Sequence, residues 1–190
     1  EAWRKDPDLV TDFYNLRRKQ IIETEPNEAH FLIVGLENRF DVSIVTQNID
    51  DLHERAGSKN VLHLHGNIRL SKSSGPNQEK EYYSISGWKL NEEDRCPDGF
   101  RLRPHVVWFG EGVPEYDKAI QEIKSADIFI VIGTSLQVYP AAGLIHFASS
   151  KAEKWVIDPN IEVFNIPKSF KQIKKIASEG LKELTKQLLV

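Results

Sequence analysis

At 190 residues the chain has room for one domain, or for one domain carrying a small inserted module, and none for multidomain machinery. Its 25 Lys and Arg against 28 Asp and Glu leave a formal net charge of −3, without the basic excess that a nucleic-acid backbone selects, and no apolar stretch approaches the ~20 residues of a membrane-spanning helix. Neither nucleic acid nor membrane is expected as a partner, and the single cysteine, Cys96, can close no internal disulfide, which points to a reducing compartment, the cytoplasm.

The opening Glu1-Ala-Trp-Arg-Lys-Asp-Pro is charged and does not read as a secretory signal. From Asp8 to Glu23, Leu9, Phe13, Leu16 and Ile21 recur at helical spacing and predict an apolar face. A second helix is predicted from Asn27 to Arg39, just after Pro26, leading into the β-branched run Val42–Asn48. Further runs of strand length follow at Val61–His65, Val106–Phe109, Ile128–Gly133 and Trp155–Asp158, with helical patterns between several of them. Apolar on both sides, these runs predict an α/β fold: an open, parallel, Rossmann-like sheet with helices on both faces. Between Gly66 and Arg103 the chain turns polar, so residues 67–103 are expected to form a small module inserted into a domain made of 1–66 and 104–190. From Phe170 to Leu189, Ile173, Ile176, Leu181, Leu184 and Leu188 around Gly180 predict one helix or two short ones closing the sheet.

Open α/β sheets bind their ligands at strand ends, so the polar and small residues after each run are the candidates. Taken singly they stay ambiguous. Gly133-Thr134-Ser135 suits a phosphate or ribose but also an ordinary loop, and Asp158 suits a ribose hydroxyl but also a turn before Pro159. Asp50 or Asp51 is a plausible helix cap as well as a polar site residue. His63 and His65 share one face of a strand, and a histidine in an apolar run is more often a hydrogen-bonded structural residue than a base.

In order, Thr46–Gly57, Leu64-His-Gly66, Leu102–Glu111 and Gly133–Ala142 closely resemble the motifs of the sirtuins, NAD-dependent protein lysine deacylases. Phe13-Tyr-Asn-Leu-Arg-Arg18 and Pro26-Asn27, with His30, extend the resemblance over nearly the whole chain, and Arg103–Glu111 is nearest to a bacterial branch associated with acidic acyl groups. The resemblance implies two substrates, NAD and an acylated lysine on a protein or peptide. The acyl amide oxygen attacks C1′ of the nicotinamide ribose, nicotinamide leaves, and the acyl group ends on ADP-ribose. It implies His65 as the base, with Asn48 as a second catalytic residue. Gln47, Asn48, Ile49, Asp50, Gly133, Thr134, Ser135, Asp158 and Ala177 are implied as cofactor contacts. Phe109-Gly110-Glu111 and, opposite, Val138-Tyr139 are implied as the edges that take up the substrate backbone by β-augmentation, with Val107 and Phe109 lining the apolar tunnel for the modified lysine. Read without the resemblance, Val106–Phe109 is a core strand.

The chain departs from the family pattern in two places. Sirtuins usually carry two Cys-x-x-Cys pairs around a structural zinc, whereas only Cys96 stands in this module, so no zinc is expected and Tyr82, Tyr83, Ile85, Trp88 and Leu90 are expected to pack the module instead. The family's opening strand and Gly-Ala-Gly-Ile-Ser loop are not in the sequence, which is read as a fragment lacking also any Tyr/Arg pair that would bind a succinyl-type carboxylate. Deacetylase, desuccinylase and demalonylase activity are all compatible with this pattern. The alternatives are an ADP-ribosyl transferase on the same scaffold and a non-catalytic module that binds acyl-lysine or NAD. The sequence fixes no oligomeric state.

Overall fold

A computed structural model describes residues 1–163 and 166–189. In chain order the elements are α1 (Ala2–Lys5), α2 (Pro7–Glu23), α3 (Glu28–Leu36), β1 (Ile44–Thr46), α4 (Leu52–Ala56), β2 (Val61–His63), β3 (Gly66–Ser73), β4 (Tyr82–Ser84), β5 (Leu102–Val106), α5 (Tyr116–Ser125), β6 (Ile128–Ile132), β7 (Glu153–Ile157), β8 (Lys171–Ile173) and α6 (Ala177–Leu188). Short 3₁₀ turns lie at Ala141–Phe147 and Ile161–Val163. The chain forms two units, one from Glu1–Glu25, Thr46–Leu52 and His65–Pro114, the other from Pro26–Val45, His53–Leu64 and the residues from Glu115 on.

The second unit contains the parallel sheet β6-β7-β8, in register from Ile128 opposite Glu153 to Ile132 opposite Ile157. One face is packed by Trp155, Ile157, Ile173, Leu181, Leu184 and Ala29, which brings α6 and α3 onto it. On the other, Val131 and Val156 meet Ile145, Ile161 and Phe170. Burial on both faces is why Ile128–Ile132 is apolar at every position. Gly180 lets α6 approach closely, since a Cβ there would lie 2.2 Å from Ile157 Cγ2. The sheet includes a strand that the sequence pattern does not predict: Lys171–Ile173, expected to be helical, pairs with Trp155–Ile157, and helix begins only at Ala177. In the same unit Asn27 caps α3 by accepting from the Ala29 N–H at 2.9 Å.

The first unit is built on the antiparallel sheet β4-β3-β5. Lys72 faces Tyr82 on one side and Arg103 on the other, with an irregularity between Gly66 and Ser71 on the β5 side. The expected strand Val106–Phe109 is corrected: the strand is Leu102–Val106, and a turn closed by the Glu111 N–H on the Trp108 carbonyl (3.0 Å) follows it. The run Val61–His65 likewise ends as strand at His63. Ile85, Leu90, Cys96 and Leu102 form the small core with Tyr83 against it, whereas Trp88, expected inside, is 40% exposed. The polar segment is more buried than its composition suggests, with Ile68, Ser71 and Lys72 nearly inaccessible.

Helix α2 is turned opposite to its apolar pattern. Asp6 caps it through the Leu9 N–H (2.9 Å), but Leu9, Phe13 and Leu16 are exposed, and Thr11, Asn15 and Arg18 are buried. The reason is a set of carbonyls that need donors. Arg18 Nε donates to Ile68 O at 2.6 Å, and its Nη1 donates to Asn15 Oδ1 at 2.7 Å and to Trp88 O at 2.9 Å. Asn15 exchanges two hydrogen bonds with the Leu90 backbone. Burial, with Arg69 nearby, lowers the Arg18 guanidinium to about 10, so it stays charged at neutral pH, held by carbonyl oxygens instead of a carboxylate. No helix among the described residues is long and apolar enough to cross a membrane.

Candidate active site

In the first unit the residues after β1 are tied to the start of β3. Asn48 N–H donates to Thr46 Oγ1 (3.1 Å), and Ile68 N–H donates to Ile49 O (2.8 Å). Asp50 Oδ1 accepts from the Leu52 N–H at 3.1 Å, an Asx turn leading into α4, while Asp51 pairs with Arg69 at 3.5 Å. Gln47, Ile49 and Asp50 are half-buried and Asn48 is exposed.

His65 stands in the turn between β2 and β3, half-buried, its Nδ1 3.0 Å from the Gln47 carbonyl oxygen. A carbonyl only accepts, so Nδ1 carries the ring hydrogen and the Nε2 lone pair is the basic position of the neutral imidazole. Gly66 beside it has φ +85°, and its missing side chain is what allows the His105 carbonyl to come close. The rival His63 is occupied elsewhere: its Nε2 lies 2.7 Å from Glu54 Oε1 on α4. Burial is the largest single influence on the Glu54 carboxyl and raises it, but the His63 hydrogen bond, a backbone hydrogen bond and the neighbouring imidazoles together outweigh it and leave the group below its ordinary range.

The backbone joins His65 to the expected substrate segment, because Val107 N–H donates to His65 O at 2.9 Å. Beyond it, Trp108 is half-buried, Phe109 is 95% exposed, and Gly110 takes φ +89°. Glu111 accepts from Arg103 Nη1 (2.7 Å) and Nη2 (2.9 Å) and from the Trp108 N–H (3.0 Å). Burial alone would raise its carboxyl, yet these donors hold it below the usual carboxylate range. The structure thus gathers Gln47, Asn48, Ile49, Asp50, His65, Val107, Phe109, Gly110 and Glu111 in one unit.

The remaining candidates lie in the second unit, Gly133 and Asp158 directly after the adjacent parallel strands β6 and β7. Gly133 has φ +59° and donates its N–H to Ile157 O (3.1 Å), next to Asp158. Asp158 is buried and makes the turn that its neighbour Pro159 suggested, Oδ1 accepting from the Asn160 N–H at 2.7 Å. Thr134 Oγ1 accepts from the Leu136 N–H (3.3 Å), Ser135 is exposed, and Ala177 opens α6 against the apolar core. Val138 and Tyr139 are exposed, Tyr139 at 73%.

A family model described as the Sir2 family matches residues 1–140. The chain belongs to the Sir2 family. An NAD-dependent protein deacylase of Bacteroides thetaiotaomicron is 46% identical over 194 residues, covering 100% of this chain and 82% of the relative. A solved Sir2 homologue in complex with NAD superposes with a TM-score of 0.83 at 34% identity, over 99% of this chain and 74% of that one. A Sir2 structure with p53 peptide and NAD+ gives a TM-score of 0.73 at 26% identity, over 98% of this chain and 80% of that one. The Rossmann-like α/β fold is shared with these sirtuin structures.

Two further features of this sirtuin chain bear on its chemistry. Where the resemblance implies zinc cysteines, the donors do not fit a tetrahedral site: Cys96 Sγ donates to Ser73 Oγ (3.4 Å), and no group of three or more His, Cys, Asp or Glu among the described residues is arranged to hold a metal. The expectation that the chain lacks a Tyr/Arg pair is overturned by Tyr14-Asn15-Leu16-Arg17 itself, which places a phenol and a guanidinium one helical turn apart. Tyr14 oxygen accepts from Trp108 Nε1 at 2.9 Å, which leaves its own hydrogen to donate elsewhere. Burial raises the Tyr14 phenol, with the Trp108 hydrogen bond and the charges of Arg103 and Arg17 pulling the other way. The signal that finds this pair in the sequence is its i, i+3 spacing, hidden when the segment is scanned only for apolar positions.

Proposed function

We propose that this chain is an NAD-dependent protein lysine deacylase that prefers acidic acyl groups, releasing nicotinamide and O-acyl-ADP-ribose. The observation that carries the reading is the His65 Nδ1 contact with the Gln47 carbonyl, which commits Nε2 to accepting a proton, in a residue whose own carbonyl is hydrogen-bonded by Val107. In the first unit, Gln47, Asn48, Ile49 and Asp50 supply amide, backbone and carboxylate contacts for the nicotinamide ribose, and Asn48 orients the reacting groups. His65 Nε2 takes the proton from a ribose hydroxyl and that oxygen adds to the acyl carbon; the lysine amine then leaves with a proton, and water adds to the acyl carbon so that the original amide oxygen stays on C1′ as its hydroxyl. Val107, Phe109 and Gly110 form an edge for the substrate backbone, Glu111 belonging to it through its main chain because its carboxylate is engaged. In the second unit, Gly133, Thr134, Ser135, Asp158 and Ala177 are the proposed NAD contacts, and Val138 and Tyr139 the proposed peptide contacts.

The acyl preference is supported by Tyr14 and Arg17. A succinyl or malonyl carboxylate can accept from the Tyr14 hydroxyl and pair with the Arg17 guanidinium, both on the helix whose Tyr14 bonds Trp108, the residue after Val107. Charge-assisted hydrogen bonds of this kind are worth about 1.5–3 kcal/mol, or roughly tenfold to a hundredfold in kcat/KM over an acetyl group.

The test is to incubate the protein expressed from its complete gene with NAD and matched acetyl-, malonyl- and succinyl-lysine peptides, and to identify products by mass spectrometry. Free lysine peptide with O-acyl-ADP-ribose, at least tenfold faster from the acidic acyl groups, is the expected result. An ADP-ribosylated peptide would instead assign a transferase, and peptide binding without nicotinamide release a non-catalytic module.

A further inference from the structure

Resting on the deacylase reading, we propose that Arg103 and Glu111 are a positioning pair: they hold the turn Val107–Glu111 in its peptide-binding shape before any substrate arrives, and the carboxylate of Glu111 makes no contact with the substrate. Five residues beyond the strand would ordinarily be a mobile loop carrying an exposed phenylalanine. Here one carboxylate chelates both terminal nitrogens of Arg103 and the backbone N–H of Trp108, so both ends of the turn are fixed to the same anion. Arg103 is anchored in its turn. It is 4% exposed, its Nη2 also donates to Val106 O (2.9 Å) and its Nη1 to Gln78 Oε1 (3.2 Å). Its guanidinium carbon lies 3.6 Å from the centre of the Trp108 ring, and Trp108 Nε1 donates to Tyr14 OH.

The consequence is a chain of fixed orientations. Glu111 sets Arg103, Arg103 sets the plane of the Trp108 indole, and the indole N–H fixes which direction the Tyr14 hydroxyl hydrogen is free to take. Substrate edge and acyl-carboxylate reader are thereby aligned by one ion pair, most of whose area is shielded from water. Ordering these residues in the free enzyme removes that entropy cost from substrate binding, so the pair acts on peptide affinity and leaves the chemical step alone.

The experiment uses Glu111→Gln, which keeps the size and one acceptor but removes the charge, Arg103→Lys, which removes the planar fork, and the double variant. With a succinyl-lysine peptide, each single change is expected to raise the peptide KM about tenfold while kcat at saturation and the KM for NAD stay within about twofold. The double variant should be no worse than the poorer single variant, because the two residues act as one unit. Peptide KM values within twofold of wild type, or peptide and NAD constants moving together, would overturn the proposal. Should the variants not fold, amide hydrogen exchange on the wild-type protein decides: protection of the Trp108 N–H without peptide supports the pair, and fast exchange that slows only on adding peptide refutes it. A wild-type protein with no deacylase activity would refute the functional reading, whereas exchange protection at Trp108 is readable in either case.

Discussion

His65→Ala is expected to lower kcat by about 10²–10⁴-fold while the KM for NAD and for peptide change only a few-fold, since the variant loses a proton acceptor used in the reaction and little binding surface. The substitution shortens a half-buried side chain at a turn, so folding should survive, as a near-native far-UV circular dichroism spectrum and melting curve would verify. The Gln47 carbonyl loses its partner, yet the loop remains pinned by the Ile68–Ile49 hydrogen bond. Steady-state kinetics with saturating NAD and peptide is the check, and activity within tenfold of wild type would remove His65 from the chemistry. The pairing of His63 with Glu54 makes it a useful contrast: His63→Ala is expected to cost stability around α4 more than kcat.

Gly66→Ala is expected to damage both fold and reaction. A Cβ at this position would lie 2.2 Å from the His105 carbonyl oxygen, 2.9 Å from its carbon and 3.2 Å from the Val106 Cα, all backbone atoms of the neighbouring strand. The left-handed φ of +85° adds roughly 1–2 kcal/mol of its own. Relief requires moving β3 from β5, which also moves His65 and the Val107 N–H bonded to it. With overpacking costs of about 1–3 kcal/mol, the loss is about 3 kcal/mol, or a melting temperature lower by roughly 6–12 °C. Because misplacing a reacting group by about 1 Å costs about a hundredfold, kcat should fall by that order even well below the melting temperature. Differential scanning calorimetry and kinetics on Gly66→Ala beside Gly35→Ala, whose added Cβ meets nothing within 4 Å, separate the local clash from a general glycine effect.

What could be read from the sequence depended on whether burial was achieved with apolar residues. Ile128–Ile132 and Trp155–Ile157 are legible because a strand covered on both faces must be apolar throughout. Lys171–Ile173 is not, because two of its three residues are exposed and its pairing depends on a neighbour far away in sequence. Helix α2 misleads for the opposite reason: its buried side is Thr11, Asn15 and Arg18, made tolerable by carbonyls of residues 68, 88 and 90 that no local pattern reveals. At the candidate site, Asn48, His65-Gly66 and Gly133-Thr134-Ser135 stand out in the sequence because their residue types suit the proposed chemistry. The engagement of Glu111 by Arg103 is not, since both residues are equally compatible with facing a substrate. The Tyr14 phenol gains its meaning only from Trp108, 94 residues away.

The central claim, that His65 accepts a proton at Nε2, is tested most directly by the tautomer of its ring. Long-range ¹H–¹⁵N correlation spectra of the ¹⁵N-histidine-labelled protein at about pH 9, where free imidazoles are neutral, report which nitrogen carries hydrogen. The expected result is a His65 signal with hydrogen on Nδ1 and a lone-pair nitrogen at Nε2. Hydrogen on Nε2 would leave the ring facing NAD as a donor and would contradict the assignment.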